Sequence, residues 1–356
     1  MSLNLDVMLK IIIEKGASDL HIHANTRPHV RINSKLVALD YPPLSAEESK
    51  SLIYAMLDDE EIKRFEEVKE LDKSFGKEGY SRFRINVFYH RSTVCAAIRS
   101  IPVDIPGFEQ LGLPEEQLSS ICRSKRGLVL VTGATGSGKT TTLASIIDRI
   151  NSERYCHVIT VEDPIEVIHT DRKSIISQRE IGQDSRSFCA ALKYVLRQDP
   201  DVILIGEMRD LETIQAALNI AETGHLVFAT LHTSDCVQTI NRIIDVFPGG
   251  QQAQVRTQLS YVLLATISQQ LLPKADNSGR CLAVELMVAN FGIRAMIREE
   301  KVHQIFSLIQ TGQKDGMKTM NKSLYELYRQ GTITYQEAAA HVTDAEDFRR
   351  FFKGLQ

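Results

Sequence analysis

Apolar positions in residues 1–101 recur at mixed periods, and later stretches of the chain follow a different rhythm. Leu5, Leu9, Ile12 and Ile13 form a stripe at helical spacing that Gly16 should end. Leu20 with Ile22, and Val30 with Ile32, alternate with polar residues as half-buried strands do, with Arg27-Pro28 between them. Ser45-Ala-Glu-Glu48 reads as a capping box, opening a helix that carries Leu52, Ile53, Met56 and Leu57. A second, charged helix runs to about Lys69, and residues 80–89 and 93–101 read as paired strands. The segment 102–114 then holds three prolines and two glycines, which marks a linker packed as a hinge.

From about 115 to 272 the pattern becomes strand–helix alternation, which implies a parallel sheet with helices on its faces. The expected strands, 128–132, 158–162, 202–206 and 226–231, are near-continuous apolar runs, as strands covered on both faces should be. The fold class is therefore α/β, with a parallel-sheet core preceded by a smaller α+β domain. The expected division is 1–101, a linker at 102–114, and 115–356 with a helical tail from about 285.

Composition narrows the function classes. Apolar residues make up 43% and charged residues 24%, as in soluble globular proteins. The net charge of −3 argues against a general nucleic-acid or membrane-surface binder. Six scattered cysteines without a C-x-x-C pair suggest neither a zinc site nor a disulfide framework, and point to a cytosolic setting. The N-terminal stretch lacks a basic n-region and a cleavage site, and no apolar run reaches the ~20 residues of a membrane span. Direct membrane insertion is not expected.

The candidate chemistry centres on Gly133-Ala-Thr-Gly-Ser-Gly-Lys139-Thr140, directly after the apolar run 128–131. It fits G-x-x-x-x-G-K-[ST] between a strand and a helix, the arrangement that cradles phosphates with backbone N–H groups. Gly133, Thr135, Gly136, Ser137, Gly138, Lys139, Thr140 and Thr141 are the expected nucleotide contacts, with Lys139 on the β/γ phosphates and the Thr140 hydroxyl on Mg²⁺. Ligands of such sheets lie beyond the carboxyl ends of the strands, where further candidates sit. Glu207 follows the run 202–205 and would bind Mg²⁺ through water or polarise the attacking water. Glu162 and Asp163 end another strand, as water-orienting groups or Mg²⁺ support. Asp210 and Glu212 are equally well read as helix N-terminal charges. His225 and His232 are separated by a strand about 23 Å long at ~3.3 Å per residue, so they cannot share one phosphate. His232, at the carboxyl end, is the γ-phosphate candidate. Asp19, His21 and His23 alternate on one strand and read as a polar face rather than a metal site. Arg82 and Arg84 share a strand face, with Arg99 on the next strand; a neighbouring ATP site raises the odds that one of them serves phosphoryl transfer.

Together these stretches resemble the secretion ATPase superfamily that powers type II secretion and type IV pili, and within it the pilus retraction ATPases. The resemblance runs through Ala17-Ser-Asp-Leu-His21, the phosphate loop, Glu162-Asp-Pro-Ile-Glu166, Gly206-Glu-Met-Arg-Asp-Leu-Glu-Thr213 and Glu222–Thr233. It implies a PAS-like N-terminal domain joined to a RecA-like ATPase domain, assembled as a homohexameric ring. ATP and Mg²⁺ would be its ligands, Glu207 its catalytic acid with Glu162 and His232 in support. Arg82, Arg84 or Arg99 would reach the bound nucleotide. A pilus platform protein of the inner membrane would be its partner, on the cytoplasmic side. Assembly ATPases of the superfamily generally add N-terminal domains and a tetracysteine zinc module, and this sequence shows neither. Gly292-Ile-Arg-Ala-Met-Ile-Arg-Glu299 matches the retraction signature Ala-Ile-Arg-Asn-Leu-Ile-Arg-Glu at five of eight positions. The alternatives are an assembly or secretion ATPase and an ATP-binding accessory subunit of another motor.

Overall fold

A computed structural model of the chain describes residues 5–32, 35–76, 82–101 and 104–353; the side chains of Arg82, Ile101 and Lys353 lie outside that description. The chain divides into two compact units, Met1–Asp104 with Pro164–Ile168, and Ile105–Asp163 with His169–Gln356.

In the first unit, β1 (Asp19–Ile22), β2 (His29–Ile32), β3 (Lys35–Ala38), β4 (Glu70–Gly76), β5 (Arg82–His90) and β6 (Thr93–Ile101) form a sheet in the order β3-β2-β1-β6-β5-β4. Every neighbouring pair is antiparallel. The first helix, Leu5–Glu14, buries Met8, Leu9 and Ile12, and Gly16 follows it with φ +57°. Ser45 caps the next helix through the expected capping box, and Asp58 caps the charged helix Asp59–Val68 in the same way. The core of the unit joins these helices to the sheet through Leu20, Ile22, Ile53, Phe65, Phe83, Ile85 and Ile98.

The second unit is built on β7 (Gly127–Thr132), β8 (His157–Glu162), β9 (Ile175–Glu180), β10 (Val202–Ile205), β11 (Leu226–Leu231), β12 (Leu263–Pro273) and β13 (Arg280–Val288). Their order is β13-β12-β7-β11-β10-β8-β9. The six strands from β12 to β9 run parallel, and β13 closes that edge antiparallel to β12. All residues of β7, β10 and β11 are buried, which is why they read as unbroken apolar runs. One face of the sheet packs against helices Leu211–Glu222, Cys236–Asp245 and Gly249–Val262. The other packs against Glu115–Cys122 and Lys139–Glu153. Within the expected linker, Phe108 and Leu113 are buried in this second core, while Pro102 and Val103 fall outside the described residues.

The structure adds three strands to the four expected from the pattern. Residues 285–288, assigned from sequence to the helical tail, instead complete β13, because the nine registered pairs of Arg280–Val288 with β12 hold the strand extended. The tail helices begin at Phe291; the first of them pack on the main core through Ile293, Ile297, Ile305 and Ile309, and a separate small core of Met320, Leu324, Ile333 and Phe348 packs the last ones on Leu272 and Ala283.

Candidate functional site

The strand order sets the site. β7, β11, β10 and β8 are consecutive neighbours, so the phosphate loop, His232, the Glu207 turn and Glu162 leave the sheet side by side at its carboxyl edge. Adjacent strands stand ~4.8 Å apart, which brings these four segments within reach of one ligand.

The loop itself depends on glycine. Gly133, Gly136 and Gly138 have φ of +143°, +80° and +91°, values that L side chains rarely adopt. A Cβ on Gly133 would lie 2.5 Å from both the Gln269 carbonyl oxygen and Ser137 Oγ, so the loop folds this tightly only without one. Lys139 opens the helix Lys139–Glu153, and its Nζ donates to the carbonyl oxygens of Gly133 (2.7 Å) and Ala134 (3.0 Å). Its ammonium is thereby held over the mouth of the loop. Thr135 and Gly136 are exposed at the tip, Thr140 is half-buried on the first helical turn, and Thr141 is exposed. The Ser137 hydroxyl is buried and, among the described residues, has no hydrogen-bond partner. A closed backbone cradle with an ammonium and an unspent hydroxyl fits a polyphosphate.

Glu207 follows β10, and His232 follows β11. His232 Nε2 lies 3.0 Å from Glu207 Oε1, and Arg209 Nε lies 2.7 Å from the same oxygen. Burial opposes ionisation of Glu207, but the hydrogen bond from Arg209 and the charges of His232, Arg209 and Lys139 outweigh it and hold the carboxyl below its ordinary range. Glu207 is therefore an anion at neutral pH, with Lys139 close enough to act on it. Arg209 in turn is stabilised as a cation first by Glu207 and, more weakly, by the charge of Asp163. Glu162, at the end of β8, accepts from Thr160 Oγ1 (2.6 Å) and Gln178 Nε2 (3.2 Å). Those two bonds aim its carboxylate along β8 and β9. Asp210 caps the helix Leu211–Glu222 by accepting from Thr213 N at 2.8 Å. His225, at the far end of β11, lies with Nδ1 3.1 Å from Thr223 Oγ1 and 3.2 Å from the Ile220 carbonyl oxygen, at the end of that same helix.

Two contributors escaped the sequence pattern. Arg209 stands in the quoted stretch after β10, yet nothing in its spacing marks it as the partner of Glu207. Gln269 backs the loop from β12, touching Gly133 with its carbonyl and donating to Thr142 Oγ1 at 2.7 Å. Only the parallel pairing of β12 with β7 brings it there.

In the first unit, Arg84 and Arg99 stand opposite each other on β5 and β6, and Asp19 stands opposite Arg99 on β1. Arg99 Nε donates to Asp19 Oδ1 at 2.9 Å. Arg84 lies 3.6 Å from Asp72 and 3.9 Å from Glu166. The side chain of Arg82 is outside the described residues. His21 and His23 share the β1 region with Asp19, and among the described residues no His, Cys, Asp or Glu cluster could hold a metal ion.

Loop, sheet and acid define a P-loop ATPase with an added N-terminal antiparallel domain. The profile of the family described as type II/IV secretion system protein matches residues 2–340. The type IV pilus retraction ATPase PilT of Pseudomonas aeruginosa is 44% identical over 97% of this chain and 100% of its own. The type IV pilus ATPase PilU of the same organism is 40% identical over 99% of this chain and 92% of its own. A crystal structure of the pilus retraction motor PilT with bound ADP superposes with a TM-score of 0.92 at 50% identity, covering 98% of this chain and 100% of that one. The chain belongs to the type II/IV secretion system protein family and, within it, to the PilT-type ATPases, the pilus retraction motors. It is an enzyme that binds nucleotide and hydrolyses ATP.

Proposed function

We propose that this chain drives type IV pilus retraction, and with it twitching motility, as a homohexameric ring on the cytoplasmic side of the inner membrane. The ring would act through the pilus platform protein. The observation that carries the hydrolytic part is the shared oxygen of Glu207, held by His232 and Arg209 beside the Lys139 loop. In this reading Glu207 orients and polarises the attacking water, His232 holds the acid and senses the γ-phosphate, and Glu162 supports from the neighbouring strand. The Thr140 hydroxyl, Glu207 through water, and Asp163 behind them are hard oxygen donors of the kind Mg²⁺ takes when substrate phosphates and water fill its remaining positions. Bound there, Mg²⁺ would neutralise charge developing on the β and γ oxygens. An arginine of the N-terminal sheet, Arg82, Arg84 or Arg99, would complete the site, and the 102–114 segment would serve as the hinge whose angle follows hydrolysis.

Deletion of the gene separates the readings. Retained, over-abundant surface pili with lost twitching support retraction, and the phenotype should be rescued by wild type and not by Glu207→Gln. Bald cells would instead identify an assembly ATPase. The accessory-subunit reading draws on the departures from the retraction signature at Gly292, Ala295 and Met296. It predicts purified protein that binds ATP normally and turns it over no faster than background.

A further inference from the structure

We propose that Asp19 is a positioning residue for hydrolysis, holding the Arg99 guanidinium by its Nε edge so that the Nη edge is presented to a phosphate. This rests on the reading that an arginine of the N-terminal sheet meets bound nucleotide, and it selects which one.

The register places Arg31, Asp19, Arg99, Arg84 and Ser74 directly opposite one another across β2, β1, β6, β5 and β4. Three arginines and one carboxylate thus form a single row on one sheet face. Like charges directly opposite repel, and Arg99 faces Arg84, so the row needs its anion. Asp19 is only 9% exposed and fixed from several sides. Ser18 Oγ donates to its Oδ2 at 2.8 Å, Arg31 Nε approaches the same oxygen at 3.8 Å, and Arg99 Nε takes Oδ1 at 2.9 Å. Burial opposes its charge, but Ser18 and Arg99 prevail and hold the carboxyl low.

Arg99 is the opposite kind of residue. Its side chain is 66% exposed, and Asp19 is its one hydrogen-bond partner among the described residues. A guanidinium is a planar fork with five donors, and a carboxylate on Nε leaves the two Nη groups for a second anion. Such a side chain gives up rotamer entropy when a ligand fixes it, and an anchored stem has already given up much of that before a ligand arrives. Arg84 offers no comparable edge. It sits between two carboxylates at 3.6 and 3.9 Å, with 32% of its side chain exposed. A lysine at position 99 could not be gripped at one edge and present another.

The test is a double-mutant cycle on steady-state ATPase of the full chain, with ADP affinity and circular dichroism measured alongside. Asp19→Asn should lower kcat about 10-fold, the scale of one charge-assisted hydrogen bond, with ADP affinity unchanged. Arg99→Ala should lower kcat at least as far, and Asp19→Asn should add nothing in the Arg99→Ala background. Arg99→Lys should be as damaging as Arg99→Ala. Equal losses from Asp19→Asn with and without Arg99 would make Asp19 merely structural and overturn the proposal. Full activity in Asp19→Asn or Arg99→Lys would overturn it as well. If Arg99→Ala is active while Arg84→Ala is not, the choice of arginine is wrong. If both are active, the reading beneath it fails.

Discussion

At the scale of single residues, the decisive feature is one carboxylate oxygen shared by two donors of different kinds. His232 and Arg209 both reach Glu207 Oε1. That leaves Oε2 as the oxygen with which a water could be held. His232→Ala removes the ring nitrogen that stands 3.0 Å from the Glu207 carboxylate and should cut kcat about 10-fold or more, which steady-state assays at saturating ATP check. Glu207 also links stability to pH. Its folded carboxyl is held below the ordinary value, so it contributes stability above that value and loses it as pH falls through the folded value. Melting temperatures of wild type and Glu207→Gln should therefore differ near neutrality and converge in acid; a gap that persists or widens in acid would contradict the shift. Glu207 and His232 were legible in sequence because each directly follows an apolar run, and strand ends are where such sheets put their chemistry. The Asp19–Arg99 pair was not, because its members lie 80 positions apart and only sheet pairing joins them.

At the scale of elements, burial decided what could be read. β7, β8, β10 and β11 are covered on both faces and announce themselves as apolar runs, whereas β9 is an edge strand whose Ser177, Gln178 and Arg179 carry no such signal. β12 follows the helix Gly249–Val262 without an intervening turn, so no glycine or proline marks the change of rhythm. The buried Glu285 on β13 has a role visible only in three dimensions. It accepts from the backbone N–H of Cys236 (2.8 Å) and of Met320 (3.3 Å), the first residues of two helices, while burial pushes its carboxyl up. One side chain thus ties the helix after His232 to the tail. Glu285→Ala strands both donors in a buried setting and should cost about 2–5 kcal/mol, measurable by urea unfolding. The phosphate loop makes a sharper prediction. Gly133→Ala places a methyl 2.5 Å from the Gln269 carbonyl at a φ of +143°, so ADP binding by titration calorimetry should be lost. Stability should fall by ~1–3 kcal/mol as well.

At the scale of the whole molecule, the chain is a fixed cradle and a separate sheet bearing arginines, joined through a segment rich in proline and glycine. The cradle and the four strands that lead into the site followed from the sequence because local motifs and apolar runs specify them, whereas the strand order and β9, β12 and β13 did not. Whether an arginine of that sheet serves the site is a matter of assembly, which no single-chain periodicity encodes. Nucleotide should stabilise the unit that carries the cradle: ADP at about 100 times its Kd should add ~2.7 kcal/mol and raise the melting temperature, and Gly133→Ala should abolish that rise. A nucleotide held by Gly133–Thr140 should be hydrolysed with Glu207 as the acid that activates water. Steady-state ATPase of the full chain and of Glu207→Gln, with ADP affinity measured on the same preparations, tests it most directly. Turnover should fall about 100-fold or more with ADP affinity retained; turnover by Glu207→Gln close to wild type would contradict a catalytic role for Glu207.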